Sequence, residues 1–457
     1  MSGGVDSTVA ALLLKQGGYD CAGAMLKLFD GAEEPYGGAG RHGSPDGMGA
    51  GATYRAMSGQ ALAAQALAGQ SLAGQSLAGK TARPDDQTPP DSYDAAERCT
   101  PSRRGGGSDA GAAGSQIGAG TAGCQSDVGT AGCQTAACAA RPRPAKSRAC
   151  CSLDDAEDAR KAAFRLGMPF YVLNFKACFQ KEVIDRFVAA YEGGATPNPC
   201  IDCNRFVKFG WMLRKAEAMG FTRIATGHYA RIERADTRGR HLLRKGADES
   251  KDQSYVLYAL TQRQLGRLLL PLGGLRKERA REIARLHGLG NADKRDSQDI
   301  CFAPDGDYAG FIEAYTGRAA GSGQFLDLRG NAVGTHRGAI RYTVGQRRGL
   351  GLAMPAPVYV CGKSMRDNTV TVGCESALYS KSLTARDVNF IPFESAGSPM
   401  RAKAKTRYRQ AEQWATFEQT GPDELHVEFD APQRAIAPGQ AVVLYDGDLV
   451  IGGGTIA

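Results

Sequence analysis

The sequence predicts an α/β protein. A doubly wound parallel-sheet domain comes first, then a small central β-rich domain, then a C-terminal β-barrel-like domain, with a long disordered insertion near the start. Three observations carry this. Helical and strand patterns alternate from Ser7 to Thr226 on either side of the insertion, which argues for a parallel sheet with ligands at the carboxyl ends of its strands. From about Gly321 the pattern changes to short alternating runs separated by turn signals. Between residues 31 and 148 the sequence has short repeats and too little apolar and aromatic surface to build a core.

In order, Ser7 to Gln16 reads as a helix stopped by Gly17-Gly18, and Cys21 to Phe29 as a buried strand. The insertion follows. It holds five-residue units from Ala56 to Lys80 and a nine-residue period starting at Gly111, Gly120 and Gly129. Both periods are too short for a solenoid unit. With three tyrosines and neither Phe nor Trp, the segment cannot bury enough apolar surface to offset its ordering entropy. Beyond it, Ser152 with Asp155 matches a capping box and opens a helix to about Leu166. Phe170–Asn174 reads as a strand, Ala177–Tyr191 and Asn204–Met219 as helices, and Arg223–Thr226 as a strand. Near the end, Val442–Tyr445 and Leu449–Ile451 flank Asp446-Gly447 as a hairpin with a D-G turn. The resulting domains are 1–304 (with 31–148 inserted), 305–382 and 383–457.

Composition narrows the function classes. No stretch approaches the roughly 18 apolar residues of a membrane span, and no charged region leads into an apolar one at the N-terminus. A cytoplasmic protein without membrane association is expected. Thirteen cysteines, an odd number, argue against a secreted disulfide framework and for reactive or metal-binding thiols. The net charge of +8 suits a polyanionic partner.

Three motifs carry chemistry. Ser2-Gly3-Gly4-Val5-Asp6-Ser7 precedes a helix, so small residues let backbone N–H groups close on an anion at the helix N-terminus. Over Ser2–Gly4 alone, an ordinary capped glycine turn would look the same. Such a loop normally follows a strand, whereas only Met1 precedes it here, so the leading strand is expected to lie upstream or to be missing. In Thr196-Pro197-Asn198-Pro199-Cys200-Ile201-Asp202-Cys203-Asn204, two prolines set an extended loop and Cys203 falls near a helix start, where the dipole favours thiolate. Half of a structural zinc site is the other reading, although Cys150-Cys151 does not offer ordinary spacing for a second pair. Asp296-Ser297-Gln298-Asp299-Ile300-Cys301-Phe302 supplies a third cysteine motif, which alone would read as a buried structural thiol. Further on, Arg401, Lys403, Lys405, Arg407 and Arg409 are spaced by two. A strand would put all five on one face, to contact phosphates or to blunt a sheet edge, and would point Tyr408 the other way.

The six-residue loop resembles the S-G-G-x-D-S signature of PP-loop ATP pyrophosphatases. The motifs in this order resemble the tRNA-specific 2-thiouridylases. Ala225-Thr226-Gly227-His228-Tyr229, Lys251-Asp252-Gln253-Ser254-Tyr255, Tyr342–Arg347, Lys405–Arg409 and Pro438-Gly439-Gln440 extend the likeness over essentially everything outside the insertion. The resemblance implies ATP- and Mg²⁺-dependent adenylation of a uridine C2 oxygen in tRNA, with release of pyrophosphate, followed by displacement of AMP by sulfur. It implies that Cys301 carries a persulfide delivered by a sulfur-carrier relay fed by a cysteine desulfurase. Cys203 then attacks that persulfide or ends as its disulfide partner. Ser2, Gly3, Gly4, Val5, Asp6, Ser7, Leu26 and Gly227 would hold ATP, and Asn198, Pro199 and Cys200 would lie against the target base. His228, Lys251, Asp252, Gln253, Arg407, Tyr408 and Gln440 would contact tRNA. The target implied is the wobble uridine of the lysine, glutamate and glutamine acceptors.

One departure matters: the Asn-Pro pair is often followed by aspartate in the family, whereas Cys200 stands here. Three thiols could then hold an iron–sulfur cluster with one open iron, an alternative to the persulfide route. Two further readings stay open: another PP-loop enzyme such as an amide-forming or tRNA-modifying ligase, and a catalytically inactive RNA-binding protein.

Overall fold

The computed structural model describes residues 1–29, 153–235, 239–294, 296, 300–303 and 306–457. The insertion at 31–148 and the Ser152 end of the expected capping box lie outside these residues. So do Ser297, Gln298 and Asp299 of the third cysteine motif.

Helix α1 (Val5–Gln16) starts two residues earlier than the apolar pattern suggests, because Gly4 is extended and ends the preceding turn. Asp6 in its first turn and Lys15 in its last complement the helix dipole. Strand β1 (Gly23–Lys27) follows, then helix α2 (Leu153–Arg165) and strand β2 (Phe170–Asn174), which pairs parallel with β1 from Gly23↔Phe170 to Lys27↔Asn174.

The two expected long helices exist, and each contains a π-type turn. The first runs as α3 (Lys176–Phe179), a π segment Gln180–Ile184 and α4 (Asp185–Glu192). The second runs as α5 (Pro199–Asp202), a π segment Cys203–Trp211 and α6 (Met212–Ala218). Proline at the first helical position suits α5, since its missing N–H would have no intrahelical partner there. A second parallel pair joins β3 (Ile224–Ala225) to a later strand, and the hairpin β4 (Ala230–Arg234) and β5 (His241–Lys245) follows β3. After α7 (Gln262–Gly266), opened by a Thr261–Gln264 capping box, comes β6 (Leu268–Leu269), the partner of β3. Among the described residues β1–β2 and β3–β6 are thus separate parallel pairs, and a deep cleft lies against both.

Helix α8 (Lys277–Leu286) buries Ala280 and Ala284 in one core with Val5 and Val9 of α1, and α9 (Tyr308–Thr316) closes the region. The central part is a four-stranded sheet of β7 (Gly323–Leu326), β8 (Ala332–His336), β9 (Tyr359–Ser364) and β10 (Thr369–Gly373), in the order β8-β7-β10-β9. Its own core holds Phe325, Val360, Val370 and Val372.

The C-terminal part is a six-stranded barrel. Its strands are β11 (Tyr379–Phe390), β12 (Met400–Lys405), β13 (Gln413–Gly421), β14 (Glu424–Arg434), β15 (Ala441–Asp446) and β16 (Leu449–Ile456), closed by pairing of β11 with β16. The D-G hairpin turn lies one residue later than expected. Asp446 pairs with Leu449, so the turn residues are Gly447 and Asp448, and Gly447 has φ +59°. Strand β15 is buried on both faces: Val442 and Leu444 point into the barrel, while Val443 and Tyr445 pack against Leu257 and Tyr258 of the N-terminal region. The β4–β5 hairpin joins the barrel sheet through Leu449↔Arg244, and Asp448 accepts from Arg231 (2.6 Å) and Arg244 (2.5 Å).

The five-cation strand is corrected by the structure. Outward Arg401, Lys403 and Lys405 do alternate with buried Ala402 and Ala404, but β12 ends at Lys405. Thr406 then donates both its N–H (2.9 Å) and its hydroxyl (2.7 Å) to Gln410 Oε1, which bends the chain away. Arg407 and Arg409 therefore belong to a turn, and Tyr408 is placed by that turn rather than by strand alternation. Nor are the cations without acids: Arg401 makes a two-pronged pair with Asp430, and Lys405 lies 3.7 Å from Glu412.

Candidate active site

A cleft of about 1190 Å³ runs from the loop before α1, past β1 and β3, to the turn after β12. Around it the chain brings together Ser2, Gly4, Val5, Asp6 and Ser7, with Leu26, Gly227 and both cysteines, Cys203 and Cys301. Asn198, Pro199, Cys200, His228, Lys251, Asp252, Gln253 and Tyr408 line the same space. Gly3, Arg407 and Gln440 stand outside its lining.

The loop before α1 is tightly backed. Gly3 has φ +69°, and a Cβ there would run into the backbone of Asp155, so only glycine fits. Ser7 Oγ donates to Gly4 O (3.0 Å) and accepts from Ser2 N–H (3.1 Å), which folds the loop over the start of the helix. Gly227 lets the β3 end approach this loop, since a Cβ there would lie 2.7 Å from the Asp6 carbonyl carbon. Buried Asn291 supports the loop from below, donating to Gly3 O (3.1 Å) and Thr8 Oγ1 (2.8 Å).

Asp6 is the electrostatic hub. Its carboxylate accepts from Tyr229 Oη (2.8 Å) and from Lys277 Nζ (2.8 and 2.7 Å). Lys277, only 4 % exposed, also pairs with Asp296 Oδ1 at 2.7 Å. Asp296 in turn accepts from Lys251 (2.9 Å) and Arg281 (3.3 Å). Burial pushes the Asp296 carboxyl up, but the Lys277 and Lys251 contacts outweigh it and leave it below the usual range. Burial and the neighbouring Asp6 charge raise the Tyr229 phenol well above its ordinary value, so it stays a donor. Lys277 carries no recognisable motif, because it sits in the charged run Lys277-Glu278-Arg279 that reads as a solvated helix start. Lys294, paired with Asp155 and Asp158 at 2.6 Å each, went unread for the same reason.

The cysteine-bearing loop is fixed at both ends. Asn198 caps α5, its Oδ1 accepting from Cys200 N–H at 3.1 Å. Cys203 consequently lies just over one turn inside the helix rather than at its first residue, and is buried in the core that Cys301 packs against. At the other end, Thr196 N–H donates to Pro438 O (2.8 Å) and Gln440 Nε2 donates to Thr196 O (2.6 Å). Gln440 thus braces this loop from the barrel. Arg407 likewise binds within the protein, donating to Val344 O (3.2 Å) and Ala435 O (2.7 Å), and so ties the central sheet to the barrel.

His228 is buried and bonded through Nδ1 to Thr226 Oγ1 at 2.8 Å. Burial, helped by the Lys208 charge, pushes its pKa down to about 3, so the imidazole is neutral. In the Lys251–Gln253 segment the carboxylate of Asp252 accepts from Gly246 N–H (3.0 Å) and Ser254 Oγ (2.8 Å). Gln253 Oε1 accepts from Tyr229 N–H (3.0 Å), and Tyr408 Oη donates to the Asp252 carbonyl (2.8 Å).

The residues fit a nucleoside triphosphate: a glycine-lined anion loop at a helix N-terminus, with lysines at hand. Among the described residues no three His, Cys, Asp or Glu side chains are placed to hold a single metal ion, while Cys200, Cys203 and Cys301 all line the cleft. No helix among the described residues is long and apolar enough to cross a membrane.

Three families match along the chain. Residues 1–39 and 130–305 match the tRNA methyl transferase HUP domain, 309–374 the tRNA methyl transferase PRC-barrel domain, and 380–456 the aminomethyltransferase β-barrel domain. The chain is 52% identical over 307 residues to a tRNA-specific 2-thiouridylase MnmA of Acetivibrio thermocellus, covering 67% of this chain and 86% of the relative. It is 46% identical over 307 residues to that of Clostridioides difficile (67% and 85%) and 49% over 315 residues to that of Moorella thermoacetica (69% and 88%). With the HUP, PRC-barrel and β-barrel parts all in sequence, the chain belongs to the family of the tRNA-specific 2-thiouridylases.

Proposed function

We propose that the protein replaces the C2 oxygen of the wobble uridine of lysine, glutamate and glutamine tRNAs by sulfur, in the cytoplasm. The observation that carries this reading is the single cleft lined by the phosphate-type loop and by Cys203 and Cys301. An amide-forming ligase would need the loop but not the cysteines. The methyl transferase wording of the matched domains fits less well, since methyl transfer needs no paired thiols. The division proposed is 1–304 for ATP binding and catalysis, 305–382 as a central β-rich domain and 383–457 for tRNA.

ATP supplies the leaving group. The uridine C2 oxygen attacks the α-phosphorus, pyrophosphate departs, and C2 becomes electrophilic. Ser2–Ser7, Leu26 and Gly227 hold the nucleotide; a Mg²⁺ bound with it would neutralise its phosphates, and Asp6 is a carboxylate of this segment that would hold the ion. Asn198, Pro199 and Cys200 lie against the base. The Cys203 thiolate attacks the inner sulfur of a persulfide on Cys301, forming the Cys203–Cys301 disulfide and expelling hydrosulfide. Hydrosulfide adds at C2 and AMP leaves with the oxygen. A dithiol then reduces the disulfide, and a sulfur-carrier relay fed by a cysteine desulfurase reloads Cys301. Lys251, neutral His228 and Tyr408 face the tRNA. Asp252 and Gln253 serve it by holding their segment in shape, and Arg407 and Gln440 by bracing the surfaces around it.

The test is incubation with ATP, Mg²⁺, unmodified tRNA and a persulfide source, followed by mass spectrometry of the digested nucleosides. The expected product is 2-thiouridine, lost with Cys203→Ala. Absence of both thiolated product and pyrophosphate from the unaltered chain would overturn the reading.

A further inference from the structure

The outward face of β12 and β13 holds an indole with no role in the cleft chemistry. Trp414 is 51 % exposed and stands directly across the ladder from Lys403. Lys403 Nζ lies 5.4 Å and Arg401 Cζ 5.5 Å from its ring centroid, so two cations gather at one aromatic face system. Arg401 is also neutralised by Asp430, whereas no ion pair joins Lys403 to a carboxylate among the described residues. An aromatic ring of this size normally buries most of its surface, and here the apolar side of β13 goes into the barrel through Ala415 and Phe417 while the indole stays in water.

The patch is continuous with the cleft. Lys405, the next outward residue of β12, lines the cleft together with Tyr408 and Arg409. Along this line four cations, Arg401, Lys403, Lys405 and Arg409, outnumber three acids, Glu412, Glu428 and Asp430, so the track that leaves the site is basic and ends on an exposed ring. A polyanion with flat, sequence-tolerant π-faces suits both features, because bases stack on aromatics while phosphates sit by lysines.

We propose that Trp414, flanked by Arg401 and Lys403, is a stacking platform for an unpaired nucleotide of the RNA substrate, with that nucleotide's phosphate on Lys403. This rests on the reading that the substrate is tRNA.

The chain has two tryptophans, so Trp211→Phe leaves Trp414 as its own reporter. Unmodified tRNA is titrated into that variant at fixed salt while binding is measured separately by filter retention. Saturable quenching of Trp414 emission that follows binding is expected. Trp414→Ala should weaken Kd roughly tenfold, with Trp414→Phe keeping most of the affinity. Lys403→Ala should lower the salt dependence by about one phosphate contact. Binding without quenching, together with an unchanged Kd for Trp414→Ala, overturns the platform and leaves tRNA binding standing. No binding by the unaltered chain instead overturns the tRNA reading itself. If Trp414→Ala spares Kd and slows thiolation only with a protein sulfur donor, not with free sulfide, the surface belongs to a protein partner and the proposal fails.

Discussion

The Lys277 ammonium lies 2.7 Å from Asp6 Oδ2 and 2.7 Å from Asp296 Oδ1, so one buried lysine joins the first turn of α1 to the segment leading to Cys301. Through Lys251, which also holds Asp296, the connection reaches the segment expected to meet tRNA.

Removing that charge leaves two carboxylates facing each other. Lys277→Met is expected to lower stability by about 3 kcal/mol, the usual cost of stripping one partner from a buried pair. It should also cut pyrophosphate release more than tRNA binding, because Asp6 loses its anchor. Urea unfolding and a pyrophosphate assay measure the two effects. An unchanged unfolding midpoint would show that the pairing contributes nothing.

The Asn198 cap separates structure from chemistry. Asn198→Ala should cost about 1 kcal/mol through the lost bond to Cys200 N–H. Asn198→Asp keeps a capping oxygen and should restore the melting temperature. If Asn198 also touches the base, Asn198→Asp should still thiolate poorly, which nucleoside mass spectrometry would read.

Tyr408→Phe deletes one hydrogen bond to the Asp252 carbonyl. Stability should drop by about 1 kcal/mol. The Lys251–Gln253 turn loses its outer brace, so affinity for tRNA should fall while ATP-dependent steps persist. Equal loss in both would contradict this division.

The buried His228 gives a pH signature. Its folded-state pKa of about 3 lies below the ordinary 6.5, so the unfolded chain takes up a proton first as pH falls. Stability should therefore be fully present above about pH 6.5 and decline below it, by up to about 1.4 kcal/mol per pH unit. Denaturation curves between pH 5 and 6.5, before most carboxylates titrate, should flatten in His228→Asn. A slope unchanged by that substitution would place the protonation elsewhere.

Local signals carried much of the architecture. Phe170–Asn174 and the helix ending at Gln16 followed from apolar spacing and glycine stops, and the cleft-forming motifs lay in contiguous runs. What escaped depended on partners far along the chain. Strand β12 stops at Lys405 because Thr406 bonds to the Gln410 side chain, which spacing by two does not reveal. The β4–β5 hairpin joins the barrel through Arg231 and Arg244 on Asp448, more than 200 residues away. Lys277 was hidden because a lysine among charged neighbours looks the same whether it meets water or Asp6.

The bracing of Thr196 by Pro438 and Gln440 has a consequence for the order in which the protein comes into being. Synthesis proceeds from the N-terminus, so the glycine loop and both cysteines leave the ribosome long before the turn that clasps their loop. Until residue 440 has emerged and β15 has seated against Leu257 and Tyr258, the Asn198–Cys203 segment lacks its far anchor. A nascent chain thus displays its thiols before the Pro438 and Gln440 contacts that anchor their loop can form.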